Sequence, residues 1–182
     1  TAAETTYGHI STWETGQVTD MSNLFACGHC GDTAAGVLFN DDISAWDTSG
    51  VTSFLHMFNS ASSFNRDIGN WAVDSATDMC GMFEYASSFN QDIGDWAVQS
   101  VTDMRGMFGR ASAFNHDIGG WAVQSVTDMA GMFESASAFN QDISGWAVTS
   151  VTNMDYMFTN ALAFDRDIGD WAIHSVRKMG WM

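Results

Sequence analysis

Tryptophan recurs in this chain at a fixed interval, and that interval constrains the fold more than any other feature of the sequence. The spacing is 25 residues, and it joins Trp46, Trp71, Trp96, Trp121, Trp146 and Trp171. The surrounding residues keep the same interval, so the unit reads V-T-D-M-x-x-M-F-x-x-A-x-x-F-N-x-D-I-x-x-W-x-V-x-S. A period of about 20 to 50 residues is typical of proteins in which each repeat buries its apolar face against its neighbours. The sequence therefore predicts a repeat solenoid.

The repeats also define the predicted domain organisation. Residues 1–17 are polar, contain Trp13, and are predicted to form an N-terminal cap segment. Residues 18–182 are predicted to form one solenoid domain of about six and a half repeats, with an insertion at 26–37 in the first copy. The last repeat is truncated and has no visible polar cap. We therefore expect either that the natural chain continues or that the open C-terminal coil associates end to end with another molecule.

Two short segments of each repeat have a predicted backbone conformation. Apolar residues occupy positions i, i+3, i+4 and i+7 of the first, as in Met79, Met82, Phe83 and Ala86. This spacing predicts one inward face of a short helical or 3₁₀ turn. The preceding "SVTDM" is rich in β-branched residues, which predicts a short strand with Val101 and Met104 facing inward.

The repeated motif resembles a known family. The string "FNQDIGDWAVQSVTDMRGMF" is similar to the BspA-like leucine-rich repeat surface proteins, in the branch with tandem 25-residue units. The resemblance covers Val18 to Met182. It implies a right-handed leucine-rich-repeat-like solenoid with a short β-strand and a short helical or 3₁₀ turn in each coil. It also implies a secreted or cell-surface protein that acts in recognition or adhesion, and it supplies no catalytic residues.

The charge balance excludes several classes of partner. The chain carries 22 acidic and 6 basic residues, for a formal net charge of -16. A surface this acidic repels nucleic acid and anionic lipid, so neither is predicted as a partner. No segment reaches the roughly 18 apolar residues of a membrane helix, so no membrane insertion is predicted. We expect a protein or glycan ligand and an extracellular or cell-surface location.

Catalysis is not predicted. The five histidines fall at unrelated places in the repeat, and no nucleophile, phosphate-loop or dinucleotide motif is present. Carboxylate pairs such as Asp92 with Asp95 suit glycoside chemistry, but Asp92 recurs in every coil, whereas a catalytic site is ordinarily singular. The chain is therefore predicted not to be an enzyme and to need no cofactor, with calcium left open.

Aspartates recur one coil apart, and their repulsion must be offset. The column includes Asp67, Asp92, Asp117 and Asp142. Neighbouring bare carboxylates about 4.8 Å apart repel by roughly 1 kcal/mol in water. One explanation is that each carboxylate accepts hydrogen bonds from backbone N–H groups and so caps its own coil or the helical turn that follows, which offsets the repulsion. A calcium ladder is the other, since hard cations take carboxylate oxygens as ligands.

Asparagine and threonine form further columns. The asparagines are predicted to bond to both neighbouring coils, and they are Asn40, Asn65, Asn90, Asn115 and Asn140. The threonines are predicted to lie on an exposed strand, and they are Thr19, Thr52, Thr77, Thr102, Thr127 and Thr152. A regular threonine rank also suits ice or a mineral lattice. A structural, calcium-binding or ice-binding solenoid is therefore the alternative to a recognition protein.

Candidate recognition residues are those at which the copies differ. One varied column consists of Arg66, Gln91, His116, Gln141 and Arg166. Other varied positions follow the first methionine, as at Arg105, or precede the alanine, as at Glu84 and Tyr85. A repeat protein carries its specificity at such positions. The same variation also suits drift on a surface that contacts only water, and the sequence leaves both interpretations open.

The insertion offers the only local cysteine chemistry. Cys27, His29 and Cys30 are candidate zinc ligands, because thiolate and imidazole favour that metal. A structural zinc site needs four ligands, and no second pair follows at zinc-finger spacing. A disulfide between Cys27 and Cys30, or from one of them to Cys80, is the plainer expectation for a secreted protein.

Overall fold

The structure is a computed structural model that describes residues 2–27 and 37–182. Helix α1 spans Ala2–Tyr7, and a 3₁₀ helix spans Ile10–Thr12. His9 caps the 3₁₀ helix, since its Nδ1 accepts a hydrogen bond from the Ser11 N–H. Residues 13–27 and 38–182 contain no further helix and no extended strand, and their coils consist of successive turns.

The predicted strand is wrong in length. In the described residues it is reduced to one bridging residue in each coil, and every bridge is parallel. The bridges run Asp20 to Ser53, Ser53 to Asp78, Asp78 to Asp103, Asp103 to Asp128, Asp128 to Asn153 and Asn153 to Lys178. Parallel bridges between residues one repeat apart place consecutive repeats directly upon each other. The repeats therefore stack in register, although they do so without a sheet of extended strands.

The predicted helical turn is also wrong, because every second N–H group donates its hydrogen bond to the following coil and not within its own coil. Within the coil, the Met82 N–H donates to Met79 O at 3.2 Å, as a tight turn requires. The next N–H, on Phe83, instead donates to Met107 O of the following coil at 2.9 Å. A continuous helix directs all of its N–H groups along its own axis. Left-handed φ angles at Gly81 and Tyr85, 57° and 60°, turn the alternate groups outward.

The predicted inward face survives this change of backbone. Met79, Met82, Phe83 and Ala86 are all buried, as are Val101 and Met104. Alternate turns still bring the same side chains to one side of the coil, because burial of apolar surface fixes which side faces the core. The apolar positions of the repeat were therefore correctly predicted, although their backbone conformation was not.

Aromatic rings form continuous files through the core. The ring centroids of Trp96 and Trp121 lie 6.5 Å apart and those of Trp121 and Trp146 also 6.5 Å, with rings nearly parallel. Phe83 packs 3.9 Å from Phe89 in its own coil. Each indole N–H of the file donates to an isoleucine carbonyl of the preceding coil, at 2.9 to 3.2 Å. The tryptophans therefore both fill the core and tie coils together.

The two ends of the described stack differ. At the N-terminal end, Trp13 stacks 6.5 Å from Trp46, and the Trp46 indole donates to Ile10 O at 2.9 Å. At the other end, Trp171 is buried, whereas Trp181 is 77% exposed. Residues 10–13 thus join the stack, as a cap segment would. Self-association through the C-terminal coil remains a prediction.

We expect Gly106→Ala to lower the free energy of unfolding by about 1–2 kcal/mol, because Gly106 has a left-handed φ of 59°. A Cβ at Gly106 would lie 3.8 Å from the nearest Glu84 atom, which is an ordinary contact without a clash. The loss of stability therefore measures backbone strain alone. Gly120→Ala is the matched control, since its Cβ would meet nothing within 4 Å and its φ is not left-handed. Urea denaturation of both variants gives the comparison, and equal losses would contradict the assigned conformation.

Candidate functional site

The asparagine column acts as an acceptor ladder between coils. The Asn90 N–H donates to Asn65 Oδ1 at 2.9 Å, and the Asn115 N–H donates to Asn90 Oδ1 at the same distance. Equivalent bonds are donated by the backbone N–H groups of Asn65, Asn140 and Asp165, each to the asparagine Oδ1 one coil before. The accepting half of the prediction is confirmed, whereas the predicted donation from these side-chain amides to the other neighbouring coil is not found among the described residues. The column is structural, because each bond pairs a backbone donor at a corner of the stack.

The predicted recognition column lies beside this ladder and is partly bonded to it. Arg66 Nε donates to Asn40 O at 2.6 Å, and Arg166 Nε donates to Asn140 O at 2.9 Å. The two glutamines bond in the same way, Gln91 to Asn65 and Gln141 to Asn115. The fifth member, His116, is half-buried. The structure therefore brings the five residues into one column, and their role in recognition remains a prediction.

The aspartates cap their own turns. Asp92 Oδ1 accepts the Gly94 N–H at 3.0 Å, and Asp117 Oδ1 accepts the Gly119 N–H at 2.9 Å. The equivalent bonds at Asp67 and Asp142 measure 2.9 and 3.0 Å. The predicted capping is confirmed. Within residues 2–27 and 37–182 no three or more carboxylate, imidazole or thiol groups are arranged to hold a metal ion, and the calcium ladder remains untested.

Serine strengthens two of these caps. The backbone N–H and then the hydroxyl of Ser44 lower the pKa of Asp42, and the hydroxyl and then the N–H of Ser144 lower the pKa of Asp142. Hydrogen bonds to a carboxylate favour its charged form. These groups therefore remain ionised to lower pH than a free aspartate, which is consistent with capping.

The threonine column is exposed, as predicted, but its hydroxyl groups are engaged along the stack. Thr77 Oγ1 donates to Thr52 O and Thr102 Oγ1 to Thr77 O, both at 3.2 Å. Thr127 and Thr152 make the same bond at 3.1 Å. Because a hydroxyl has a single proton, these groups can only accept from an ice or mineral surface. The arrangement favours the structural interpretation of the column.

The cysteine predictions lie largely beyond the described part of the chain. His29 and Cys30 fall outside the described residues, and so do the zinc site and the Cys27–Cys30 disulfide. Cys27 and Cys80 are described, and both are free thiols, so the alternative bond between them is not formed. Burial raises the pKa of Cys27 and, more strongly, raises that of Cys80 to about 11.

A hollow of about 300 Å³ interrupts the regular surface of the stack, and we call it the glycine groove. It is lined by residues from successive coils, among them His56, Glu84, Gly109, Arg110, Glu134 and Tyr156. We call the lining glycines, which are Gly106, Gly109 and Gly131, its floor, and the lining residues with long side chains its rim. Two other hollows of the described residues lie beside Trp13 and beside Arg166.

The groove exists because one coil lacks a side chain. Gly109 occupies the position that carries Asn59, Glu84, Glu134 and Thr159 in other coils. Its φ is not left-handed, so the backbone itself does not require glycine. The variation at this repeat position is visible in the sequence, whereas the groove is not. The lone glycine among polar residues was the available signal.

The charged groups around the groove are paired. Arg110 Nη2 donates to Glu134 Oε1 at 3.1 Å, and its guanidinium lies 4.9 Å from the Tyr85 ring centroid. Asn59 Nδ2 donates to Glu84 Oε2 at 2.8 Å. Arg105 binds both oxygens of Asp103, and these hydrogen bonds and that charge raise the pKa of Arg105. The groove therefore presents fixed donors and acceptors.

Left-handed backbone recurs at equivalent positions of the coils and does not mark the groove. The φ angles are 53° at His56, 60° at Tyr85, 60° at Arg110 and 61° at Tyr156. Other coils hold the same conformation at the repeat position of Tyr85, at Ser60, Ser135 and Asn160. Such conformations cost an L-residue roughly 1–2 kcal/mol. The strain therefore belongs to the turn of the repeat.

No helix within residues 2–27 and 37–182 combines the length and the apolar character that crossing a bilayer requires.

Comparison with known families identifies the chain as a repeat protein. The family model described as "Mycoplasma protein of unknown function, DUF285" matches residues 1–108 and again residues 91–182. No curated protein and no solved structure matches the chain. The two matches together cover the whole sequence and agree with the repeat character predicted from the tryptophan interval. The chain therefore belongs to the DUF285 family of repeat proteins.

Proposed function

We propose that this chain is a non-catalytic recognition protein, secreted or displayed on a cell surface, that binds a protein or glycan ligand in the glycine groove. Its coils would then wind as a right-handed leucine-rich-repeat-like solenoid, in the BspA-like branch that the motif resembles. The acidic surface of net charge -16 keeps such a protein soluble and repels nucleic acid.

The observation that carries the proposal is the break in the repeat at Gly109. Repeats that serve only to stack have no need of one coil without a side chain, whereas a ligand needs a concave surface. Most polar columns bond to their own backbone, as at Asn90 and Asp92. The groove is the described place where aromatic, basic and acidic side chains converge on open space.

The same contacts favour recognition over catalysis. The recurring carboxylates, such as Asp117, accept a backbone N–H in their own coil. Glu84 and Glu134 are each bonded to a side chain, Asn59 and Arg110, which fixes their orientation. Groups held in this way suit positioning of a ligand better than proton transfer.

We expect Gly109→Asn to reduce ligand binding by about tenfold or more, because it restores a side chain to the hollow. Asn59 occupies the same position in another coil, so the repeat accepts asparagine there. A Cβ at Gly109 would lie 3.3 Å from Gly106 O, so the melting curve of the variant is compared with that of the control. Gly120→Asn is the matched control, since Asn70 stands at its repeat position and its Cβ would meet nothing within 4 Å. Labelled proteins are applied to arrays of neutral and acidic oligosaccharides and of purified proteins.

We expect a ligand on the array that binds the unaltered protein and Gly120→Asn equally and that does not bind Gly109→Asn. Circular dichroism and melting curves verify that both variants are folded. A ligand that Gly109→Asn retains in full would place recognition elsewhere on the stack. Failure to retain any ligand at millimolar concentration would contradict a recognition role.

A further inference from the structure

We infer that the ligand of the glycine groove is an uncharged, hydroxyl-rich saccharide segment. This inference rests on the proposed function, since it names the ligand class for the same groove. It depends on the charge balance of the lining, on the backbone bonds of the floor and on one exposed aromatic ring.

The lining is charge-balanced within a strongly acidic protein. Arg105 and Arg110 contribute two positive charges, and Glu84 and Glu134 contribute two negative charges. Asp103, which binds Arg105 from beside the lining, adds a third negative charge. An anionic ligand would meet the repulsion of the net charge of -16. A cationic ligand would compete with Arg110 for Glu134, at the cost of an ion pair already formed. An uncharged ligand avoids both costs.

The side chains around the groove present donors beside acceptors. The guanidinium of Arg110 is adjacent to the carboxylate of Glu134, and the amide of Asn59 is adjacent to the carboxylate of Glu84. A hydroxyl group donates one hydrogen bond and accepts others, so it can bond to both members of such a pair. Neighbouring hydroxyl groups on a sugar ring repeat this capacity. The pairs can therefore stay intact while they bind.

The floor disfavours an extended peptide. Gly106 N donates to Ala130 O, Gly131 N donates to Asp155 O, and Gly109 N donates to Gly106 O. These N–H groups are engaged within the stack, so they cannot pair with the backbone of a peptide strand. Addition of a strand needs an edge with free backbone groups. Recognition at this floor must therefore come from side chains.

Tyr156 supplies an apolar surface for the C–H face of a sugar ring. Its side chain lines the groove and remains 46% exposed. An aromatic ring contributes large apolar contact area while its hydroxyl group stays available to water. Tyr85 cannot serve equally, because the guanidinium of Arg110 covers its ring. The ring of Tyr156 is thus the side chain on which stacking depends.

The test is a nuclear magnetic resonance titration of the ¹⁵N-labelled protein with neutral and sulfated oligosaccharides and with peptides. We expect a neutral oligosaccharide to shift the amide signals of Gly106, Gly109 and Gly131. Its affinity should change little between about 0.05 and 0.5 M salt, because screening weakens only charged pairs. Tyr156→Ala should reduce the affinity about tenfold, whereas Tyr156→Phe should leave it within about threefold. Tyr7→Ala, at an exposed residue outside the groove, is the control.

The outcomes separate this inference from the proposed function. If peptides or sulfated oligosaccharides shift the groove glycines and neutral ones do not, groove recognition stands and the saccharide assignment is wrong. If no probe shifts them, the saccharide assignment is wrong, and the array of purified proteins then decides whether the groove binds a ligand. A neutral oligosaccharide that binds equally to Tyr156→Ala and the unaltered protein would overturn the stacking role on which the assignment depends.

Discussion

Phe108→Ala is expected to lower the free energy of unfolding by about 3–5 kcal/mol, the usual range for a buried phenylalanine. Phe108 is fully buried, and its ring lies 4.0 Å from that of Phe114 in the same coil. It also lies 5.8 Å from Phe83 in the coil before and 5.8 Å from Phe133 in the coil after. Truncation leaves a cavity that rigidly stacked coils cannot close, so the transfer and cavity costs add.

The measurement is urea denaturation followed by circular dichroism, with Phe158→Ala as the matched control. Phe158 occupies the repeat position of Phe108 but is only partly buried, so the same truncation should cost less. Stability in stacked repeats is the sum of terms within coils and between neighbours. If both variants lost equal stability, burial within the stack would not govern the cost.

Trp121→Ala is expected to cost a similar amount, about 3–5 kcal/mol, but through two separable contributions. The ring is 3% exposed and stacks 6.5 Å from Trp96 and from Trp146. Its indole N–H donates to Ile93 O at 3.1 Å. Trp121→Phe keeps an aromatic ring and removes that donor. The lost hydrogen bond should cost about 0.5–1.5 kcal/mol, because Ile93 O keeps a second donor, the Trp96 N–H at 3.1 Å.

Thermal and urea melts of the two variants separate packing from hydrogen bonding. Trp13→Ala is the control, because Trp13 stacks on Trp46 and is 40% exposed. It should therefore cost less than Trp121→Ala. Equal stability of Trp121→Phe and the unaltered protein would show that the indole bond to the preceding coil contributes nothing.

The sequence predicted the features of the fold that depend on repetition. A constant interval and apolar residues at fixed offsets require the same side chains to meet in every coil, and the files of Trp121 and Phe108 confirm this. Capping by aspartate was predictable because the chemistry is local and extends only two residues, as from Asp92 to Gly94. Repetition and local chemistry can both be read without knowledge of the backbone path.

The backbone conformation was not predictable from the same pattern. Spacings of i, i+3 and i+4 arise in a helix and also in a chain of turns whose alternate N–H groups bond to the next coil. The distinguishing signal is the left-handed residue, and glycine marks it at Gly81 but not at Tyr85. The groove escaped prediction because it depends on a missing side chain, at Gly109, bounded by residues from other coils.

The alternation of hydrogen bonds has a consequence for the evolution of chain length. Each coil exchanges hydrogen bonds with both neighbours at equivalent positions, since Phe83 N donates to Met107 O of the following coil and Thr102 N donates to Thr77 O of the preceding one. A duplicated segment of one period can therefore insert between existing coils and find every partner already in position. Nothing in this bonding fixes how many coils the protein must have. Its reach can grow or shrink in steps of one coil while the fold of each remains the same.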